Sequence, residues 1–274
     1  MVVSGLCLGS FINAFTWRLH EQEEEQSKAK PNLKYLSKLS IAKGHSICPN
    51  CKRQLSVKDL IPIVSWVVLR GKCRYCHKPI SWQYPVVELI TAVLFIGSYV
   101  LWPEPIRGIQ IAIFVLWLII LVGLIALVVY DLRWLLLPNK IIYSLYTIAF
   151  VQAIIIIANS NNHLSSLADI ILAVIVGGGL FYALFQISNG KWIGGGDVKL
   201  GGLLGLIAAT PGRSFLLIFL ATLLGSLVSV PLLLSGRLKK NSIIPFGPFL
   251  IIGAIIVQFY GQSIISWYQN TFIF

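Results

Sequence analysis

Acidic residues are scarce in this chain: ten stand against 22 lysines and arginines among 274 residues, and only 12% of the chain is charged. A soluble globular domain carries about twice that charged fraction, so the class is excluded at once. The carboxylates are also unevenly spread. Glu21, Glu23, Glu24, Glu25 and Asp59 share one polar stretch, which leaves Glu88, Glu104, Asp131, Asp169 and Asp197 for everything else. Histidine is scarcer still, with four residues, and none stands beside a plausible nucleophile. Ser/His/Asp and Cys/His chemistry therefore have no candidates. The glycine patterns of dinucleotide-binding and P-loop folds are missing, as is any repeat of fixed period. No basic segment precedes the first apolar stretch and Arg18 follows it, so Met1 to Trp17 is expected to be a retained helix rather than a cleaved signal.

What the chain has is apolar length. Hydrophobic residues make up 57% of it and its mean hydropathy is +0.81, which identifies an all-α polytopic membrane protein. The runs 109–130, 141–158, 170–187, 215–234 and 249–268 contain no charge and reach spanning length. Three diluted candidates, 1–17, 86–101 and 194–210, bring the expected total to about eight transmembrane helices. In the first of these, Ser10 and Asn13 need partners on neighbouring helices, since lipid offers none. The domain organisation that follows is a first transmembrane helix (1–17), a cytoplasmic loop domain (18–85) and a membrane domain (86–274).

With eight crossings, every lysine and arginine except Arg107 and Arg213 falls in the loops 18–85, 131–140, 188–199 and 235–248. That asymmetry predicts a multi-pass protein with these loops in the cytoplasm and both termini outside. A re-entrant sixth segment would strand Arg237, Lys239 and Lys240 on the wrong side. The net charge of +12 is then a matter of topology, and no nucleic-acid partner is implied.

The loop 18–85 holds Cys48-Pro49-Asn50-Cys51 and Cys73-Arg74-Tyr75-Cys76. Paired CxxC knuckles offer four soft thiolates in the tetrahedral set that Zn²⁺ favours, and a loop this small has little core without such a staple. Disulfides are the plain alternative, weakened by the reducing compartment that the charge asymmetry predicts. Cys73 to His77 also spells the CxxCH of a c-type haem site, but that leaves the first knuckle unexplained. Cys7 is most simply a small core hydrophobe, and His20, His45 and His163 are expected to be solvated loop residues.

Asp131 closes a long apolar run, and Asp197 lies within Gly194-Gly195-Gly196-Asp197-Val198-Lys199. A carboxylate in such a setting costs about 2.5 to 3.5 kcal/mol on insertion scales and marks a functional position. Plain alternatives exist: Asp131 as an interfacial anchor with Arg133 and Trp134, and Asp197 neutralised by Lys199. The predicted topology, however, puts both aspartates at one membrane face. Two carboxylates in a low-dielectric site tend to share one proton, the state used by aspartic proteases. A proton or cation relay in a transporter or channel, with the zinc loop as a regulatory module, is the alternative of a different class.

The chain resembles bacterial type IV prepilin peptidases, the leader peptidase and N-methyltransferase family of GxGD-type aspartic proteases. The resemblance rests on Gly9-Ser10-Phe11-Ile12-Asn13 through Arg18-Leu19; on the block from Cys48 through Asp59-Leu60-Ile61-Pro62 and Leu69-Arg70-Gly71-Lys72-Cys73 to Tyr84-Pro85-Val86-Val87-Glu88-Leu89; on Asp131 with Leu137-Pro138-Asn139; on Gly194, Gly196, Asp197 and Lys199; and on Ile244-Pro245-Phe246-Gly247-Pro248-Phe249. His20 and His45 depart from it, standing where proline and arginine are common. The resemblance implies cleavage of prepilin or pseudopilin leaders at the cytoplasmic face of the bacterial inner membrane, with Asp131 and Asp197 catalytic and Gly194, Gly196 and Lys199 shaping the site. It also implies methylation of the new N-terminus from S-adenosylmethionine, with Glu88 as a candidate near that donor, and structural zinc on Cys48, Cys51, Cys73 and Cys76.

Overall fold

The computed structural model describes residues 1–40, 44–236 and 244–272. Two compact units divide it, Met1–Leu101 and Trp102–Phe274. Arg237, Lys239 and Lys240, on which the argument against a re-entrant segment turned, lie outside the described residues.

The first unit contains α1 (Val2–Gln26), α2 (Leu33–Lys38), a 3-10 turn (Val57–Leu60), α3 (Val64–Val68) and α4 (Gln83–Val100). Helix α1 does not stop at Trp17; it continues through the whole acidic run to Gln26. It packs on α4 with almost no side chain between them. A Cβ on Gly5 would stand 2.5 Å from the Ala92 Cα, and one on Gly9 would stand 2.6 Å from the Glu88 Cα. Small residues four apart let helix backbones meet in this way. The polar residues of α1 find partners as expected. Asn13 donates to the carbonyls of Gly9 and Tyr84 and accepts from Gln83, and Ser10 hydrogen-bonds to Glu88. Cys7 is the exception: it is exposed on the outer face of α1 rather than in the core, because the inner face is occupied by the glycines.

The second unit contains α5 (Ile109–Trp134), α6 (Asn139–Ala158), α7 (His163–Val174), a π-helical turn (Ile175–Gly179), α8 (Leu180–Ser188), α9 (Gly195–Ala208), α10 (Pro211–Leu234) and α11 (Gly247–Phe272). Among the described residues, seven helical segments are long and apolar enough to cross a membrane, with α7, the π turn and α8 forming one of them. The eighth expected segment is present as α9. Its 14 residues extend about 21 Å, short of a hydrocarbon core of about 30 Å. Most of α9 from Leu200 onward is buried. Its glycines explain how it fits: a Cβ on Gly201 would lie 2.5 Å from the Gly177 carbonyl oxygen, and one on Gly205 would lie 2.5 Å from that of Ala173. The π turn Ile-Val-Gly-Gly-Gly presents its bare backbone to this helix, a placement typical of π turns near functional sites.

Candidate active site and metal centre

Four helix ends in the second unit meet around Asp131 and Asp197. Asp131 lies in the last turn of α5 and is 6% exposed. The helix stops just beyond it because Leu135 takes a left-handed conformation at φ +55° and Pro138 excludes further helix. Asp197 is the third residue of α9, where its carboxylate accepts the backbone N–H of Gly194, the residue capping that helix. This is one half of a capping box, and a carboxylate there also faces the positive end of the helix dipole. Asp131 is met in the same manner by another helix, since its carboxylate accepts the N–H of Gly247, the first residue of α11. Each carboxylate therefore faces the N-terminus of a helix, Asp197 that of its own α9 and Asp131 that of α11.

The two aspartates are joined by packing. A Cβ on Gly247 would stand 2.5 Å from the Asp131 Oδ2 and 3.5 Å from Leu200 Cδ2, and Leu200 is one turn beyond Asp197 on α9. The segments following and flanking the aspartates also interlock. A Cβ on Gly196 would lie 3.1 Å from Leu137 Cδ1. Lys199 Nζ donates to Asn139 Oδ1 at 2.8 Å and sits 5.8 Å from the centre of the Tyr143 ring. Lys199 is thus turned to Asn139 rather than serving as the ion-pair partner of Asp197. Likewise Arg133 stacks on Trp134, 4.8 Å from its ring centre, instead of anchoring Asp131. Tyr146 on α6 completes the contact by donating to the Lys199 carbonyl at 2.9 Å. Sequence reasoning missed Tyr146 and the donor role of Gly247. The Gly-Pro step after Pro245-Phe246 was the visible signal for the second; nothing marked the first.

In the first unit the four cysteine sulfurs all lie within 4.8 Å of one another, and Cys48 and Cys76 are separated by 4.0 Å. Tetrahedral Zn–S bonds of about 2.3 Å require sulfurs roughly 3.8 Å apart, so the donor set fits zinc. The knuckles are built alike. Cys48 N–H bonds to Arg53 and Lys52 N–H to Cys48, while Cys73 N–H bonds to Lys78 and His77 N–H to Cys73. Lys52 and His77 fill the same left-handed position, at φ 55° and 56°. His77 is exposed there, which makes it a turn residue and leaves the haem reading without a basis. Burial pushes the Cys48 thiol up to about 11. Burial acts on Cys73 in the same sense, but the N–H groups of Cys76 and Tyr75 and the neighbouring thiols bring it down to about 7. Cys48 and Cys73 are buried while Cys51 is exposed and Cys76 half-buried, and a bound cation would stabilise all four as thiolates. Lys52 also ties the first knuckle to α1 and α2: its ammonium reaches Tyr35 Oη at 2.9 Å and Glu21 at 3.3 Å, and lies over the Trp17 ring.

Glu88 is buried in α4, with its carboxylate accepting the Ile63 N–H at 2.6 Å. Ile63 has φ +59°, an outlier for a β-branched residue, and this bond holds it there. Glu88 is thus engaged by the loop backbone at Ile63 and by Ser10 of α1.

Family models match both units. Residues 3–102 match the bacterial peptidase A24 N-terminal domain, and residues 118–230 match the type IV leader peptidase family. A prepilin leader peptidase/N-methyltransferase of Bacillus subtilis is 33% identical over 230 residues, covering 84% of this chain and 87% of the relative. The chain belongs to the type IV leader peptidase family. Another prepilin leader peptidase/N-methyltransferase, from Pectobacterium carotovorum, is 34% identical across 92% of this chain and 89% of its own length. A type 4 prepilin-like proteins leader peptide-processing enzyme of Escherichia coli is 32% identical across 92% and 90%. No solved structure matches the chain. Membership of a leader peptidase family leaves the transporter alternative without support.

Proposed function

We propose that the chain cleaves the leader of type IV prepilins or pseudopilins with Asp131 and Asp197 as its catalytic pair, and then methylates the exposed N-terminal amine. The observation that carries the peptidase reading is the convergence of α5, α6, α9 and α11 on the two aspartates, through Gly247, Leu200, Leu137 and Asn139. One carboxylate takes a proton from a water that attacks the scissile carbonyl, while the other gives its proton to the carbonyl oxygen. Collapse of the tetrahedral carbon breaks the C–N bond: the proton first taken from water passes to the departing amine, and one hydroxyl of the gem-diol returns its proton to the carboxylate that gave one, leaving the product acid and a reset pair. The N–H groups of Gly194 and Gly247 hold the two carboxylates in place throughout. Gly196 and Lys199 act by locking the start of α9 onto the turn before α6.

S-adenosylmethionine supplies the methyl group, consistent with the N-methyltransferase naming of the relatives. Zinc on Cys48, Cys51, Cys73 and Cys76 would supply the cross-link that the loop otherwise lacks. The asymmetry of lysine and arginine supports a placement in the bacterial inner membrane with loop and aspartates on the cytoplasmic side, and pilin-like helices presented from that membrane as substrates. The test is to incubate the purified, vesicle-reconstituted chain with a tagged prepilin and S-adenosylmethionine and to weigh the product's N-terminus. Loss of the leader together with one added methyl group supports both activities. A cleaved, unmethylated product reduces the chain to a peptidase, and an intact substrate removes the reading.

A further inference from the structure

The stretch between the two knuckles turns the wrong residues outward for a loop in water. Ile61, Val64, Val67 and Val68 are 47%, 53%, 59% and 69% exposed, while Ser65 and Trp66 are half-buried. Val64, Val67 and Val68 stand at i, i+3 and i+4 and so share one face of α3. A soluble helix buries that stripe. Val57, 83% exposed in the preceding 3-10 turn, adds to the apolar surface.

Two contacts made by neighbouring residues fix where this face lies. Trp66 of α3 packs on Trp82, with ring centres 4.1 Å apart, and Trp82 caps the start of α4 while remaining 69% exposed. From Trp82 the exposed apolar stripe continues down α4 through Val86, Leu89, Ile90 and Val93. These positions fall on one face of a helix long and apolar enough to cross the membrane, which makes them lipid-facing. The second contact sets the depth. Glu88 holds the Ile63 N–H at 2.6 Å, and Glu88 lies about 7.5 Å along the helix from Gln83. The head of α3 is therefore fastened beside the second turn of a membrane-spanning helix. Lys58 and Arg70, both exposed, flank the segment.

We propose that residues 57–70 form an interfacial element, with the valine face of α3 inserted at the boundary of headgroups and acyl chains and Lys58 and Arg70 at anionic headgroups. An apolar face with basic flanks and an exposed tryptophan has the composition of membrane-surface helices. The zinc loop is then held at both levels, by metal at the knuckles and by lipid between them.

The test uses the full, zinc-loaded chain with Cys7→Ser, in vesicles of phosphatidylethanolamine and phosphatidylglycerol. A nitroxide is placed at Val67→Cys, with Leu89→Cys as the lipid reference and Lys38→Cys as the water reference. Collision with oxygen and with a water-soluble nickel chelate is read by electron paramagnetic resonance. The Val67 label should match the Leu89 label, with high oxygen collision and nickel collision several-fold below that at Lys38. Nickel collision equal to that at Lys38 puts the face in water and overturns the proposal. Exclusion of both reagents means that protein, such as a second copy, covers the face, and overturns it equally. Unchanged zinc content in each variant shows that the loop is intact.

Discussion

Replacing Gly247 by alanine tests whether α11 positions Asp131. The added Cβ would stand 2.5 Å from Asp131 Oδ2, where ordinary contact begins at 3.4 Å, so the carboxylate must retreat by roughly 0.9 Å. The N–H of residue 247 survives the change, which makes the perturbation steric. Because the obstructing atom is the tip of a side chain, rotation of Asp131 relieves the clash and the fold persists. Catalytic geometry is less forgiving: a misplacement of about 1 Å can cost on the order of 10²-fold in rate. Gly247→Ala should therefore lower kcat for leader cleavage by about that factor with KM little changed, as expected when an interaction of the transition state is lost. Gly212→Ala is the control, since its Cβ meets only Ile265 Cδ1 at 3.6 Å. Cleavage kinetics on a reconstituted prepilin, with thermal unfolding of each variant, provide the readout. A Gly247→Ala enzyme within threefold of wild type, with its fold intact, would refute the claim that this contact fixes Asp131.

Other outcomes follow from the same contacts. Lys199→Met and Asn139→Ala each remove the 2.8 Å bond between the two segments; each should slow cleavage, and the double variant should lose little more than either single one, because a shared interaction is non-additive. Additive losses would show that the two side chains act separately. Gly205→Ala places a Cβ 2.5 Å from the Ala173 carbonyl oxygen, with backbone on both sides and no room to yield. Overpacking of this kind costs about 1 to 3 kcal/mol, and the second unit should unfold at lower temperature or denaturant. Zinc affinity should fall on acidification, since protons compete with metal for thiolates and burial already holds Cys48 near 11. Chelator competition at pH 8 and pH 6 measures it, and pH-independent affinity would contradict four-thiolate binding.

Much of this was legible in the sequence where chemistry needs a rare residue. Asp131 and Asp197 stood out because charge is costly in an apolar chain, and the cysteines because paired knuckles have few other uses. Cys48, Cys51, Cys73 and Cys76 converge as their spacing suggested. Contacts made by backbone or by common residues were not legible. Gly177 and Gly201 lie inside apolar runs with nothing to mark them, although their pairing allows α9 to lie against the π turn. Lys199 is two residues from Asp197 in the chain, which suggested an ion pair; its partner is Asn139, 60 residues away. The acidic run Glu21 to Glu25 was compatible with a helix or a disordered arm, and it is helical: it ends a membrane span but does not end α1.

In the proposed mechanism Asp131 and Asp197 act as one catalytic unit. Single-turnover cleavage of a reconstituted prepilin by Asp131→Asn, Asp197→Asn and the double variant tests it most directly, with zinc content and membrane insertion verified for each. Either single change should abolish leader removal as completely as both together. Full cleavage by either single variant would contradict it.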